Sequence, residues 1–259
     1  EAVKGQNIIL HAAARTHVKK DDAASSMAEY RRINVEGTLN LARQAAAGGV
    51  IRFVFISSIK VNGEATKTGV PFTADDTPKP INKYGISKWE AERGLLQLAA
   101  DTGMEVVIIR PPLVYGPNAK GNFAKLSALI AKEVPLPLAK IENKRSFVAI
   151  DNLIDLIITC LYHPKAANQT FLASDGQDLS TPEFLNGMAI AMGRDAKLFP
   201  LPSPLLSLAA SLIGKKYEAN SLLGSLQIDI AKTRDVLNWS PVIGIEEGLQ
   251  RCFGENRQG

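Results

Sequence analysis

Tyr84 and Lys88 are the two residues of this sequence whose types and spacing best suit acid–base chemistry. Residues four apart lie on one face of an α-helix, so the Lys88 ammonium is expected beside the Tyr84 phenol. A neighbouring cation favours the phenolate and lowers the pKa of a tyrosine from its ordinary value near ~10. Such a pair suits a proton shuttle that works near neutral pH. The spacing alone is a weak signal, because solvated helix faces also carry it.

Residues 53–58 supply the context for this pair. The apolar run ends in two hydroxyls, Ser57 and Ser58, which predicts a buried parallel strand whose carboxyl end opens into a cleft. Ligands of open α/β sheets bind outside the carboxyl ends of strands. Ser58 is therefore predicted to orient a substrate or handle a proton near Tyr84. The simpler interpretation is that both serines only end the strand.

The elements around these residues alternate between strand and helix. Small side chains at Ala12, Ala13 and Ala14 follow the first strand and would let a ligand approach the backbone closely. The alternation predicts a Rossmann-like, doubly wound parallel sheet of the α/β class. The predicted elements are a strand at 7–11, a helical segment at 22–47, a strand at 53–58, a helix at 84–100 and a strand at 105–110.

Beyond residue 117 the regularity loosens into shorter elements, with helices predicted at 123–132 and 152–162 and strands at 145–150 and 169–172. We therefore predict a cofactor-binding core at 1–117. Residues 118–259 are predicted to form mainly a smaller α+β substrate-binding lobe, with returning segments that complete the core.

Composition excludes some partners. The net charge of +4 is scattered and only 6% of residues are aromatic, which disfavours nucleic-acid binding. Cys160 and Cys252 lie far apart and are interpreted as reduced thiols of a cytoplasmic protein. The longest uncharged stretch, residues 198–214, has prolines in its first half, so a short buried or interfacial helix is predicted there rather than stable membrane insertion.

The glycine-rich turn that binds pyrophosphate in dinucleotide folds is missing from the sequence. Gly48 and Gly49 do not qualify, because they end a predicted helix and precede a strand. Either the fold never used a dinucleotide, or the chain lacks the N-terminal βαβα segment. The fit of the downstream elements favours the second explanation.

The sequence resembles the extended short-chain dehydrogenase/reductase family, in its nucleotide-sugar epimerase/dehydratase branch, along essentially its whole length. Each motif is weak alone, and the ordered set is specific. The matching motifs are His11-Ala12-Ala13-Ala14, Asn34-Val35-Glu36-Gly37-Thr38, Ser57-Ser58, the Tyr84/Lys88 pair, RPPLVYGP at 110–117, NKRSF at 143–147 and DIAKTR at 229–234.

The resemblance implies NAD or NADP as cofactor, a nucleotide sugar as substrate and no metal. Tyr84 would be the general acid/base, Lys88 would hold the nicotinamide ribose and Ser58 would hydrogen-bond the reacting oxygen. Asn122 and Arg145 would face the substrate diphosphate, for which a guanidinium has a suitable shape. The other cofactor-binding residues would be Ala12, Ala13, Ala14, Asn34, Ile56, Ser57, Pro111 and Val114.

The sequence departs from the branch at two places. Dehydratases carry an Asp-Glu pair after the active-site hydroxyl, whereas this chain has Ile59 and Lys60, which disfavours 4,6-dehydration. Residues 220–225 lack the second phosphate-binding arginine common in epimerases, which weakens a standard UDP-galactose 4-epimerase assignment. The run at 58–63 looks closer to proteins that make surface-polysaccharide sugars.

The leading hypothesis is an NAD(P)-dependent epimerase acting at C4 of a UDP-hexose. The alternative is an NAD(P)H-dependent 4-ketoreductase of a UDP-4-keto-6-deoxy-hexosamine, which would use the same residues. A non-catalytic NAD(P)-binding interaction protein is the competing class. A homodimer is also expected, with helices at 22–47 and 84–100 paired across a two-fold axis through the outward-facing residues Leu39, Ala42, Leu95 and Leu98.

Overall fold

A computed structural model describes residues 3–16, 23–202, 205–206, 211 and 221–254 of the chain. In the first part, strands and helices alternate in the predicted order. The elements are β1 Ile8–His11, α1 Ala23–Tyr30, a π-helical segment Arg31–Gly37, α2 Thr38–Ala47, β2 Arg52–Ile56, a 3₁₀ turn Ile59–Val61, α3 Lys83–Thr102 and β3 Glu105–Arg110.

The second part contains shorter elements, as the sequence predicts. They are β4 Leu113–Tyr115, α4 Asn122–Ala131, β5 Arg145–Ala149, α5 Ile150–Tyr162, a 3₁₀ turn Pro164–Ala166, β6 Thr170–Leu172, β7 Asp178–Leu179, α6 Thr181–Ala191, α7 Ala231–Leu237 and α8 Ile245–Phe253. The helix predicted within 198–214 lies largely outside the described residues.

A parallel four-stranded sheet in the order β1-β2-β3-β6 forms the centre of the first part. In its register Phe53 on β2 lies between Ile9 and Val106. Every strand pair in this sheet is parallel, so the carboxyl ends of the strands share one edge. The predicted Rossmann-type α/β fold is confirmed.

Side chains alternate between the two faces of this sheet. Phe53 and Phe55 pack into the buried cluster that includes residues of α2 and α3. Val54 points the other way, into the cluster that contains residues of α5 and Trp239. Successive side chains of a strand point to opposite faces, and here both faces are covered by helices. This coverage explains why the strand reads as a continuous apolar run.

A smaller sheet in the order β4-β5-β7 belongs to the second part. Tyr115, Phe123, Phe147 and Phe184 contribute to the buried cluster beside it. The segments interleave, because β4 pairs with β5 in the smaller sheet while β6 returns to the large one. The domain boundary at residue 117 stays a prediction.

Two of the four residues expected to face outward are instead inside the core. Ala42 and Leu95 are each 0% exposed and belong to the cluster beneath α2 and α3. Both helices lay this face on the sheet, since its apolar surface must be covered. Leu39 and Leu98 are half-buried and pack at the margin of the same cluster. The expectation was therefore wrong for Ala42 and Leu95.

No helix in the part of the chain that the structure describes is long and apolar enough to cross a membrane.

Arg52, the first residue of β2, ties three elements together from a buried position. Its Nη1 donates to the carbonyls of Cys160, Leu161 and His163 at 2.9, 3.0 and 2.9 Å, and its Nε donates to Glu105 at 2.7 Å. The carbonyls at the end of a helix lack partners within the helix and carry partial negative charge. Arg52 thus holds the end of α5 against β2 and β3.

We expect Arg52→Met to lower the free energy of unfolding by about 2–4 kcal/mol, because buried carbonyls and a carboxylate lose their charged donor. Urea denaturation measures the change. Arg251→Met is the matched control, since Arg251 makes exposed pairs with Asp151 and Glu247, which are worth at most about 1 kcal/mol. Equal effects of the two substitutions would contradict this account of Arg52.

Candidate active site

The carboxyl ends of β1, β2 and β3 bring three predicted site segments to one edge of the sheet. Ala12 to Ala14 follow β1, Ser57 and Ser58 follow β2, and Pro111 follows β3. This edge is where open α/β sheets bind ligands.

The turn after β2 is fastened to the end of β3. The Ser57 amide donates to the Ile109 carbonyl at 2.7 Å, and the Ile59 amide donates to the Pro111 carbonyl at 3.0 Å. Ser58 is extended, and its Oγ accepts from the Lys60 amide at 3.3 Å, which begins a short 3₁₀ turn. The Ser58 hydroxyl is thereby held at the sheet edge.

The start of α3 is fixed by an N-cap that also contacts this turn. Asn82 Oδ1 accepts from the Gly85 amide at 2.6 Å, which satisfies one free donor of the first helical turn. Glu64 accepts a hydrogen bond from Nδ2 of the Asn82 side chain and forms an ion pair with Lys60 at 2.6 Å. The chain Lys60–Glu64–Asn82 therefore links the Ser58 turn to the helix that carries Tyr84.

Gly85 allows the helix and the turn to approach backbone to backbone. A Cβ at this position would lie 2.6 Å from the Lys60 carbonyl oxygen, which is too close for any side chain without a shift. The contact brings the first turn of α3 directly onto the residues after Ser58.

The structure brings Tyr84 and Ser58 together. The Ser58 hydroxyl hydrogen-bonds the phenol and acts to lower its pKa, but burial and the neighbouring Tyr30 outweigh this and raise the pKa of Tyr84 to about 12. The ring centroids of Tyr30 and Tyr84 are 6.5 Å apart. The phenol is thus protonated at neutral pH and hydrogen-bonded to the Ser58 hydroxyl.

Lys88 is 1% exposed, and its Nζ lies 4.0 Å from the centre of the Phe55 ring. Burial lowers the pKa of Lys88 to about 8, and the negative charge of Glu92 opposes the shift. The predicted lowering of the Tyr84 pKa by Lys88 is not found, because desolvation dominates at both groups. The helical spacing is as predicted, whereas the electrostatic outcome is reversed.

Asn34 anchors the small-residue turn to α3. Its Oδ1 accepts from the Arg15 amide at 2.8 Å, and its Nδ2 donates to the Arg15 carbonyl and to Ser87 Oγ, both at 3.0 Å. Ser87 in turn donates to the Tyr84 carbonyl at 2.8 Å. Asn34 lies in the π-helical segment, a helix type often found at functional sites. It is 1% exposed and holds the turn in place.

The residues at this edge fit a dinucleotide. Ala12 and Ala13 are exposed, so a ligand can contact their backbone. Ser57 Oγ and Arg15 Nε are buried and have no hydrogen-bond partner among the described residues, although buried polar atoms in folded proteins are almost always paired. A polar ligand on this edge would supply such partners.

The remaining predicted cofactor residues lie at the end of β2, directly after β3 and on β4. Ile56 ends β2 half-buried, and Pro111 is buried directly after β3. Val114 is half-buried on β4 and packs against the cluster on the α5 face of the sheet.

The two predicted substrate residues lie in the second part of the chain. Arg145 begins β5, and its Nη1 donates to the Gly224 carbonyl at 2.7 Å. Burial lowers the pKa of Arg145 to about 10, so the guanidinium remains charged at neutral pH. Asn122 is exposed at the first position of α4. No hydrogen bond or ion pair in the described part of the chain joins these two side chains.

Sequence reasoning missed several residues that support the site. Asn82 was recognisable, because an asparagine directly before a helix is a common N-cap. Glu92 follows Lys88 at helical spacing, yet its partner Arg110 is distant in sequence. Phe55 carried no signal beyond strand propensity. The described residues contain no group of His, Cys, Asp or Glu side chains arranged to hold a metal ion.

The chain belongs to the NAD-dependent epimerase/dehydratase family, whose profile matches residues 1–173. This confirms the resemblance seen in the motifs and makes the chain an NAD(P)-dependent enzyme by family. The fold, the Tyr84–Ser58 contact and the open alanine turn agree with that assignment.

Two individual relatives and one solved structure are similar to this chain along most of its length. A UDP-glucose 4-epimerase of Vibrio cholerae is 49% identical over 250 residues, which cover 96% of this chain and 76% of that protein. A GDP-6-deoxy-D-mannose reductase of Pseudomonas aeruginosa is 26% identical over 258 residues, which cover 95% of this chain and 79% of that protein. The structure of UDP-glucose 4-epimerase from Thermotoga maritima with UDP-glucose matches with a TM-score of 0.75 at 22% identity. The match covers 97% of this chain and 77% of that one. This last likeness shows the fold.

We expect Gly85→Ala to destabilise the protein by about 1–3 kcal/mol, because the added methyl group meets the Lys60 carbonyl. Any activity should fall further than the remaining folded fraction accounts for, since the helix must move away from Ser58. Thermal unfolding and turnover per folded molecule check the two effects. The control Gly254→Ala adds a methyl group where nothing lies within 4 Å. An unchanged Tm for Gly85→Ala would contradict the close approach.

Proposed function

We propose that this chain is an NAD(P)-dependent epimerase acting at C4 of a UDP-hexose. The observation that carries the proposal is the Tyr84 phenol hydrogen-bonded to Ser58 at the carboxyl edge of the sheet. The 49% identity to a UDP-glucose 4-epimerase supports this reaction over others of the family. The chemistry requires a group that exchanges a proton with a sugar hydroxyl, and Tyr84 is proposed to be that group.

In this proposal Tyr84 takes the proton of the 4-hydroxyl and later returns one to the sugar oxygen. Ser58 hydrogen-bonds both the phenol and the reacting oxygen, and so aligns them. When bound, the nicotinamide supplies the exchange of hydride at C4. To take that proton, Tyr84 must first lose its own, so cofactor and substrate binding would have to lower its pKa from about 12, a value that already includes the lowering by the Ser58 hydrogen bond.

Cofactor binding is assigned to the strand-end residues and Lys88. The Lys88 ammonium would donate to the ribose. The buried hydroxyl of Ser57 would gain a hydrogen-bond partner. Ala12, Ala13 and Ala14 would admit the cofactor close to the backbone. The rest of the proposed cradle consists of Asn34, Ile56, Pro111 and Val114.

Arg145 and Asn122 are proposed to face the substrate diphosphate. Arg145 keeps donors besides the one bound to Gly224, because a guanidinium has five N–H groups. Dehydration is disfavoured at this site, since Lys60 occupies the place of an acidic residue and is paired with Glu64.

A 4-ketoreductase is the second candidate, supported by the 26% identity to a GDP-6-deoxy-D-mannose reductase. The two reactions are separated by incubating the intact protein with UDP-sugars, with and without NAD(P)H. Interconversion without net cofactor consumption supports the epimerase. Stoichiometric oxidation of NAD(P)H with a 4-keto sugar supports the reductase, and cofactor binding without turnover of any sugar nucleotide supports the interaction protein.

A cytoplasmic location is part of the proposal. Both cysteines are free thiols, Cys160 buried and Cys252 half-buried, in keeping with a reducing compartment.

We also propose a homodimer that uses the outer face of α3. Leu96 is 43% exposed there and borders a shallow groove lined by Glu90, Arg93, Gly94 and Gln97. Arg31 reaches Glu90 at 2.6 Å and braces α3 against the preceding helical segment. A second copy related by two-fold symmetry would cover this face.

Leu96→Glu should shift the mass measured by light scattering from dimer to monomer, because two charges would face each other without partners. The exposed Ile190 on α6 offers the control Ile190→Glu, which should leave the mass unchanged. A monomeric mass for the wild-type protein would reject the dimer.

Tyr84→Phe removes only the phenolic oxygen. If Tyr84 transfers the proton, kcat should fall by roughly 10²–10⁴-fold with little change in NAD affinity. Lys88→Ala should instead weaken NAD binding. Tyr162→Phe is the control, since Tyr162 is 73% exposed at the end of α5. Wild-type turnover by Tyr84→Phe, with the cofactor bound, would end the catalytic assignment.

A further inference from the structure

A buried ion pair joins α3 to the end of β3, and the proposed reaction does not use it directly. Two nitrogens of Arg110 donate to the Glu92 carboxylate, Nε to Oε1 at 3.0 Å and Nη2 to Oε2 at 2.6 Å. The two side chains are 6% and 3% exposed. Asn62 Oδ1 accepts from the remaining nitrogen, Nη1, at 2.9 Å. The three side chains therefore form one buried, hydrogen-bonded cluster.

Stability alone gives little reason for such a pair. Desolvation of two charges offsets most of their attraction, and apolar residues of similar size often stabilise a core equally well. The planar, two-bond geometry of arginine with a carboxylate does fix the relative position and orientation of the elements that carry them. The ion pair is thus better suited to alignment than to stability.

Each member of the cluster is next to one part of the proposed site. Arg110 directly precedes Pro111, and Asn62 ends the 3₁₀ turn that follows Ser58. Glu92 lies one helical turn after Lys88 on α3.

Backbone contacts strengthen these links. The Pro111 carbonyl accepts from the Ile59 amide at 3.0 Å, and the Asn62 side chain donates to the Thr73 carbonyl at 2.8 Å. A displacement of the ion pair would therefore move the strand end, the turn and the helix relative to one another.

We propose that the Glu92–Arg110 ion pair is a positioning element for the reaction centre, which sets how α3 lies against the Ser58 turn and places a carboxylate one turn from the Lys88 ammonium. The inference rests on the proposed function, because it concerns the same site.

The negative charge of Glu92 acts on the Lys88 ammonium, whose charged form is already disfavoured by burial. Burial lowers the pKa of Lys88 to about 8 and Glu92 opposes this. In the described part of the chain, the other titratable groups near Lys88 are Tyr84, one turn earlier, and His11 on β1, whose own pKa is lowered by burial and by Lys88. Loss of the Glu92 charge removes an attraction to the ammonium, so the pKa of Lys88 falls further and its proton is lost at lower pH.

Three variants of the intact protein test the proposal: Glu92→Gln, Arg110→Lys and the double variant Glu92→Gln/Arg110→Met. The measurements are kcat and KM for UDP-glucose, NAD affinity as a function of pH, and Tm. Lys88→Met serves as the reference that assigns the pH dependence of NAD affinity to Lys88. Glu247→Gln is the matched control, because it breaks an exposed pair with Arg251.

Glu92→Gln should lower kcat by roughly 10- to 100-fold with little change in KM, because a small misplacement of reacting groups is enough for such a loss. NAD affinity falls at alkaline pH when Lys88 loses its proton, and in this variant the midpoint of that fall should be lower by about 0.5–1 pH unit. Arg110→Lys keeps the charge and loses the two-bond geometry, so kcat should fall while the pH dependence stays unchanged. The double variant should regain Tm but neither kcat nor the wild-type pH dependence.

Recovery of kcat together with Tm in the double variant would show that the pair only stabilises the fold, and would overturn the proposal. Wild-type kcat and pH dependence in Glu92→Gln would do the same. If the wild type binds NAD but turns over no UDP-sugar, the proposed function fails. The pH dependence of NAD affinity in Glu92→Gln then still decides whether the pair acts on Lys88.

Discussion

The packing of the first turn of α3 onto the turn after Ser58 is the contact on which the rest of the site depends. At Gly85 the two backbones meet so closely that a Cβ would lie 2.6 Å from the Lys60 carbonyl oxygen. The polar chain from Lys60 through Glu64 to Asn82 closes the same contact from the outside. Because the sheet fixes the turn and the turn fixes the helix, the hydroxyl of Ser58 and the phenol that meets it have a set distance.

Burial determines the electrostatics of this contact. The pKa of Tyr84 rises to about 12 and that of Lys88 falls to about 8, since both neutral forms are favoured away from water. Groups that hydrogen-bond the phenol, or that place negative charge near the ammonium, act against these shifts. Ser58, in the turn after β2, and Glu92, one turn after Lys88 on α3, occupy those two positions.

A second polar network fastens the smaller sheet to the core. Asp175, which follows β6, accepts from the Tyr115 hydroxyl at 2.7 Å, from the Asn152 amide at 2.7 Å and from the Ala149 backbone at 2.8 Å. Burial raises the pKa of Asp175, while these hydrogen bonds oppose the rise. The network connects β4, β5 and α5 to the last strand of the large sheet. Arg145, at the start of β5, is thereby held on a frame attached to the large sheet.

The sequence by itself determined the strand–helix order, the strands around Phe53 and Val106, and the position of Tyr84 and Lys88 one turn apart on one helix. These features follow from the pattern of neighbouring side chains and from helical spacing, which are local. Only the tertiary structure decided that Ala42 and Leu95 face the core, that Lys88 lies over Phe55 and that burial outweighs charge at Tyr84. The ion pair between Glu92 and Arg110 was likewise visible only in the tertiary structure. These outcomes depend on which distant segments pack together and how completely they exclude water, and no pattern of neighbouring residues contains that information.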